Sequence, residues 1–243
     1  MKLQINNINF SYSRDLPLVI RDISLNVNEG EFVSLLGPSG CGKSTLLNIL
    51  AGILKGYSGE IFIDGKKISG MSSHFAYMPQ NDLLLPWRTI LDNICLYSEI
   101  HHTKKQVIEK AADMMNKFGL AGCEKKYPAQ LSGGMRQRAA FLRTALCEAD
   151  IYLLDEPFGA LDVITRAQMQ DWLHDLCAQM NKTILLVTHD TDEAIYLSDR
   201  ILVLGRAGEG IKEEIIIDEK NRSRDWLYDQ GHLRSRIHGI ISR

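Results

Sequence analysis

Nine consecutive residues, Gly37-Pro38-Ser39-Gly40-Cys41-Gly42-Lys43-Ser44-Thr45, restrict this chain more than any others. They fit G-x-x-x-x-G-K-[ST], a pattern whose glycines let the backbone turn its N–H groups inward around an anion. In such a loop Lys43 reaches the β and γ phosphates of a nucleotide and the Ser44 hydroxyl binds Mg²⁺. The flanks suit that use. Phe32-Val33-Ser34-Leu35-Leu36 is apolar apart from one serine, as expected of a strand covered on both faces, and Leu46, Leu47, Leu50 and Leu54 follow with helical spacing.

A second strand ends in acid. Ile151-Tyr152-Leu153-Leu154 runs into Asp155-Glu156-Pro157, the Walker B form, in which Asp155 would hold Mg²⁺ through water and Glu156 would polarise the water attacking the γ phosphate. Phe75-Ala76-Tyr77-Met78 and Ile184-Leu185-Leu186-Val187 also read as buried parallel strands. Ile164, Ala167, Leu173, Leu176 and Met180 supply the helix of a βαβ crossover. An α/β core follows from this alternation.

Other stretches depart from it. Leu3 and Ile5 alternate, slip at Asn6-Asn7 and resume at Ile8 and Phe10, which reads as a bulged strand. Ile23, Leu25 and Val27 alternate again, and Ile61-Phe62-Ile63 before Asp64-Gly65 and Ile68 signals a hairpin. From Pro86 to Cys147 the pattern is expected to be helical throughout. Thr103 and Gln106 are spaced as a capping box, Val107, Ala111, Met114, Met115 and Phe118 share one face, and Gly119 is placed as a stop. Ile201 to Leu204 and Ile215 to Ile217 read as a last hairpin. The expected division is one domain over 1–217, with a helical subdomain inserted at about 86–147, and a mixed-charge tail over 218–243.

Composition narrows the function. The 243 residues carry 28 Lys+Arg against 30 Asp+Glu, a formal charge of -2, which gives no electrostatic footprint for nucleic acid. The uncharged stretch Ser44–Leu54 is too short to span a bilayer, which takes about 20 apolar residues. The opening residues show no apolar segment with a cleavage site, so export is not expected. Cysteines 41, 95, 123, 147 and 177 form no C-x-x-C pair, which favours the reducing cytoplasm. His101-His102 has no third metal ligand nearby in the sequence.

Leu131-Ser132-Gly133-Gly134-Met135 adds a serine N-cap followed by two glycines, which aims a hydroxyl and free N–H groups at an anion with the helix dipole behind them. With the two nucleotide motifs and the helical insertion, the chain from about Leu3 to Ile217 resembles the ATP-binding-cassette (ABC) family, whose signature reads Leu-Ser-Gly-Gly-Gln. The resemblance implies a P-loop NTPase core of ABC type with an antiparallel β-subdomain and an inserted helical subdomain. It also implies that Tyr12 stacks on adenine, that Gln80 after Tyr77-Met78-Pro79 senses Mg²⁺ and the attacking water, that Gly159-Ala160-Leu161-Asp162 is the D-loop, and that His189 in Val187-Thr188-His189-Asp190 is the switch histidine at the γ phosphate. Gly37, Ser39, Gly40, Cys41, Gly42, Lys43, Ser44 and Thr45 would surround the phosphates. Met135 departs from the consensus glutamine, whereas Ser132, Gly133 and Gly134 are intact.

In this family two cassettes pair head to tail, so Ser132 and Gly134 of one would close over ATP held by Lys43 of the other. The resemblance therefore implies ATP and Mg²⁺ as cofactors, a second ATP-binding subunit, transmembrane permease subunits and, indirectly, a solute-binding protein, with the chain on the cytoplasmic face of the membrane. Leu-Ser-Gly-Gly-Met-Arg-Gln-Arg and Leu83-Leu84-Leu85-Pro86-Trp87-Arg88-Thr89-Ile90 are similar to importers of nitrate, alkanesulfonates, taurine and thiamine-precursor pyrimidines. Leu83, Leu84, Leu85 and Trp87 are candidates for a groove receiving a permease helix. The alternatives are the ATPase of an exporter, a non-transport cassette ATPase, or a P-loop kinase or switch protein, the last of which lacks the serine-glycine-glycine helix start and the switch histidine.

Overall fold

The computed structural model describes residues 1–180 and 182–242, and of residues 104, 106 and 176–180 the backbone alone. Strands β1 (Leu3–Phe10) and β2 (Ile20–Val27) pair antiparallel. The slip at Asn6-Asn7 is a bulge: the register shifts between Ile5 and Ile8, Asn7 turns to φ 49°, and its N–H donates to the Ser24 hydroxyl. Leu3, Ile5, Ile8 and Phe10 all face inward as a result. Strand β3 (Phe32–Leu36) leads through the glycine-rich loop into α1 (Lys43–Leu50). The hairpin β4 (Ser58–Ile63) and β5 (Lys66–Ile68) turns at Asp64 and Gly65, with φ of 50° and 74°, as a two-residue I′ turn requires. Together these strands form a sheet in the order β2-β1-β4-β5.

After β6 (Phe75–Met78) come α2 (Ile90–Ile94), α3 (Leu96–Ile100), α4 (Lys104–Lys117) and α5 (Gly133–Ala145). The segment is not helical throughout, because residues 118–132 form a loop with one 3₁₀ turn at Pro128–Gln130. Gly119 ends α4 as expected: at φ 63° it donates to Asn116 O, while Leu120 N–H reaches back to Met115 O, so the last carbonyls are satisfied. Thr103 makes no side-chain cap, and Gln106 lies outside the described side chains.

The remainder alternates. Strand β7 (Ile151–Asp155), α6 (Val163–Met180), β8 (Thr183–Thr188), α7 (Thr191–Leu197), β9 (Arg200–Leu204) and β10 (Ile211–Ile216) complete a second sheet in the order β10-β9-β3-β8-β7-β6, parallel except for the β9–β10 pair. Its central strands serve two cores. Val33, Leu35, Ile151, Leu153, Leu185 and Val187 face α1 and the antiparallel sheet, whereas Phe32, Leu36, Tyr152, Leu154, Ile184 and Leu186 face the other helices. This is why their sequences read as continuous apolar runs.

Two expectations change. On α6, Ile164 is exposed and the inward face begins at Met169 and Leu173, because the first turn projects past the core; Leu176 and Met180 lie outside the described side chains. The residues after Asp218 fold into α8 (Arg224–Tyr228) and α9 (Gly231–Ile241), and Leu227, Leu233 and Ile237 join the helix-side core.

Candidate active site

Four loops at the carboxyl ends of parallel strands converge, the position at which open α/β sheets place their sites. They follow β3 (Gly37–Gly42), β6 (Gln80), β7 (Glu156) and β8 (His189). Because β6, β7 and β8 are neighbours, residues far apart in sequence come together without further design.

The loop after β3 is tightly drawn. Lys43 is buried and its Nζ donates to the carbonyls of Gly37 (2.8 Å) and Pro38 (2.9 Å), so the ammonium closes the loop on itself. Gly42 caps α1 at φ 104°, and a Cβ on Gly37 would lie 2.9 Å from Leu204 O, so larger residues fit neither place. Ser39 and Gly40 are exposed at the loop tip, and Cys41 and Thr45 are buried. Cys41 Sγ sits beside Lys43 Nζ at 3.7 Å, filling the inside of the turn. Tyr12 stands over this loop largely exposed, its hydroxyl 3.0 Å from Thr45 Oγ1 and its ring edge-on to Phe10.

Asp155 and Glu156 are neighbours that point to different partners. Ser44 Oγ donates to Asp155 Oδ1 at 3.0 Å, joining the helix start to the strand end. Burial, with Glu156 adding repulsion, holds the Asp155 carboxyl above the ordinary carboxylate range despite the Ser44 bond and the nearby Lys43. Glu156 turns to φ 48°, a left-handed conformation that costs a side-chain-bearing residue about 1–2 kcal/mol. Its carboxylate then lies between Gln80, whose Nε2 donates to Oε2 at 3.1 Å, and His189, whose Nδ1 is 3.2 Å from Oε1. The Gln80 hydrogen bond restrains the carboxylate on one side, and His189 lies at ion-pair distance on the other.

An all-oxygen pair, Asp155 and Ser44, suits a hard cation such as Mg²⁺, which would also relieve the confined Asp155 charge. No cluster of three or more His, Cys, Asp or Glu side chains with metal-ligand geometry occurs among the described residues.

Ser132 caps α5, its hydroxyl accepting from Met135 N–H at 3.3 Å, and Ser132 and Gly133 are exposed. Gly134 packs against the Ala160-Leu161 turn. No hydrogen bond among the described residues joins this helix start to the loop around Lys43. Asp162 caps its own helix, accepting from Thr165 N–H at 3.0 Å, which lowers its pKa.

Sequence reasoning missed the layer beneath His189. Asp190 caps α7 by accepting from Asp192 and Glu193 N–H, and Arg166 donates to Asp190 Oδ2 (3.4 Å) and to Leu161 O (3.2 Å). The spacing Asp190-x-x-Glu193 is a capping signal that was there to be seen. Glu193 nevertheless does not reach back to the cap, because Asp190 N–H is taken by Thr188 Oγ1. It turns inward to accept from Gln170 Nε2 at 3.1 Å, and burial pushes its carboxyl up to about 7.

Fold and site together define a P-loop ATPase of cassette architecture. Residues 20–159 match the ABC transporter family. Over 199 residues the chain is 48% identical to the aliphatic sulfonates import ATP-binding protein SsuB 1 of Rhodococcus jostii, covering 82% of this chain and 77% of that one. It is 43% identical over 201 residues to the nitrate import ATP-binding protein NrtC of Synechococcus elongatus, covering 78% of this chain and 30% of that longer protein. A dimeric ATP-binding cassette solved in a post-hydrolysis state with ADP and phosphate superposes with a TM-score of 0.79 at 28% identity, covering 89% of this chain and 99% of the other. The chain belongs to the ABC transporter family and is an ATP-binding transport ATPase.

Proposed function

We propose that this protein is the ATP-hydrolysing subunit of a membrane importer for a solute of the nitrate, sulfonate, taurine or thiamine-precursor type, on the cytoplasmic face of the membrane. The observation that carries the catalytic part is the Glu156 carboxylate held between Gln80 and His189 beside the Ser44–Asp155 pair. In that arrangement Glu156 accepts the proton of a water attacking the γ phosphate, while Gln80 and His189 fix the direction of its lone pairs. Ser44, Asp155 and Gln80 would hold Mg²⁺, which would supply neutralisation of phosphate charge. Gly37 to Thr45 surround the phosphates and Tyr12 lies against the base.

The exposure of Ser132 and Gly133 and the dimeric state of the similar solved cassette support head-to-tail pairing, in which Ser132, Gly133, Gly134 and Asp162 meet the partner's nucleotide. Import is favoured by the named roles of the sulfonate and nitrate relatives. No helix among the described residues is long and apolar enough to cross a membrane, which suits attachment through a permease. Trp87 (71% exposed) and Leu83 (62% exposed) supply an apolar contact for it, whereas Leu84 belongs to the buried core and cannot. A solute-binding protein would act through the permease. The domain division is part of the same reading: 1–217 as the nucleotide-binding domain, about 86–147 as its helical arm, and 218–243 as an appended segment.

Glu156→Gln tests the chemistry. It should bind ATP, lose nearly all turnover and accumulate as an ATP-dependent dimer; an active Glu156→Gln protein would remove Glu156 from its role. Trp87→Ala should keep basal ATPase and lose stimulation by solute in the reconstituted transporter.

A further inference from the structure

The residues after Asp218 take no part in the site described so far, yet they are tied into the layer beneath it. Arg224, at the start of α8, donates through Nε and Nη2 to Asp171 Oδ1 (3.0 and 2.6 Å), through Nη2 to Ala167 O (2.7 Å) and through Nη1 to Gln170 Oε1 (3.0 Å). Its guanidinium lies 4.0 Å from the centre of the Tyr196 ring on α7. One side chain thus spans α6 and α7.

Gln170 passes that contact inward. It is 5% exposed, and Glu193, to which its Nε2 donates, is 4% exposed. A guanidinium can only donate, so the carboxamide oxygen of Gln170 must face Arg224 and its NH₂ must face the Glu193 carboxylate. Without Arg224 the buried carboxamide oxygen loses its donor, and Glu193 alone is left to hold the Gln170 side chain through its NH₂. Glu193 is four residues past His189 and lines the same small cleft as Glu156, Arg166 and His189. Arg166, one turn ahead of Gln170 on α6, holds the other side of that turn through Asp190.

We propose that Arg224 is a positioning residue for ATP hydrolysis: through Gln170 and Glu193 it holds the start of α7, and with it His189, in register with Glu156. This gives the segment 218–243 a part in turnover, and it rests on the reading of Glu156 and His189 given above. Arg224 touches neither the phosphate loop nor Tyr12, so its removal acts on kcat and spares ATP affinity.

The test is steady-state ATPase and ATP binding on the full chain. Arg224→Gln should lower kcat about tenfold with KM and Kd for ATP unchanged within about twofold. Arg224→Lys, which keeps a cationic donor, should recover part of the loss. Gln170→Leu should reproduce it while leaving the Arg224–Asp171 pair in place. Adding Arg224→Gln to Gln170→Leu should cost little more, because both act through one contact. Arg236→Ala, on the same segment, removes an exposed pair with Glu213 of β10 and should change nothing. Wild-type kcat in Arg224→Gln would overturn the proposal, as would ATP affinity falling in step with kcat, or losses in the double variant that simply multiply. If Glu156→Gln remains active the site reading itself fails, whereas an inactive Glu156→Gln beside an unaffected Arg224→Gln refutes this inference alone.

Discussion

Exchanging Glu193 for Gln removes one buried charge beneath His189 and leaves shape and acceptor in place. The carboxamide oxygen can still accept from Gln170 Nε2, and the Thr188 hydroxyl, which bonds the carboxylate, can accept from the new NH₂. Burial is the main cause of the raised pKa; repulsion from Asp190 adds to it, while Thr188, Gln170 and Arg166 oppose it. Below about pH 4.5 the carboxyl is protonated in the folded and the unfolded chain, and its burial carries no charge penalty. As the pH rises the unfolded chain ionises first, so the folded state binds more protons and stability falls until the pH passes about 7. Moving this carboxyl from its ordinary 4.5 to about 7 corresponds to ~3 kcal/mol once both states are ionised.

Glu193→Gln should therefore be more stable than the wild type by about 1 kcal/mol near pH 5 and by about 3 kcal/mol near pH 8. Urea unfolding of both proteins at these pH values reads the difference directly. With a slope of about 3 kcal/mol/M the gap between midpoints should widen by roughly 0.7 M. Parallel pH dependence of the two proteins would refute the reasoning, since it would mean that Glu193 is solvated or already paired well enough to ionise normally.

Other outcomes follow from particular contacts. Phe141 packs against Phe118, Phe158 and Trp172, so Phe141→Ala should lose about 3–5 kcal/mol by chemical unfolding. Asn93 is fully buried, accepts from Leu85 N–H and donates to the carbonyls of Leu85, Arg88 and Thr89. Asn93→Leu should cost about 2–3 kcal/mol and speed amide exchange at Leu85, in the loop that presents Trp87. Asp150 is held below the usual carboxylate range by His74 first and by Lys2. Its stabilising effect is present above the ordinary carboxylate pKa and lost as the pH falls through the lowered value, so thermal unfolding of Asp150→Asn and wild type should converge in acid. Cys41 is 5% exposed, so alkylation should be slow, should abolish ATP binding once complete, and should be prevented by ATP.

What could be read in advance is what short spacings encode. The phosphate loop, the acidic end of β7, the bulge at Asn7, the I′ turn at Asp64-Gly65 and the stop at Gly119 each follow from the chemistry of a few adjacent residues. Their backbones behave accordingly. The first turn of α6 misled because apolar spacing at Ile164 does not say where a helix leaves its core. Arg166, Gln170, Arg224 and the true partner of Glu193 were invisible for a different reason. Their meaning lies in pairs separated by more than twenty residues, and a lone glutamine or arginine on a helix carries no sign of what will face it. The same holds for Leu84, whose neighbours Leu83 and Trp87 share its composition but not its burial.

The strand order also governs how the chain can be made. The antiparallel sheet is complete once Ile68 has been synthesised, but β3 takes its places between β8 and β9, which begin about 150 residues after it ends. At ribosomal rates that gap lasts roughly ten to thirty seconds. Throughout it, a strand apolar on both faces waits without its partners, a template for wrong pairing that shielding by a chaperone would protect. A chain broken off before Thr183 would keep the antiparallel sheet β2-β1-β4-β5 and have no support for the loop that follows β3. The residues proposed to cradle the phosphates are thus among the earliest made and the last to be set in place.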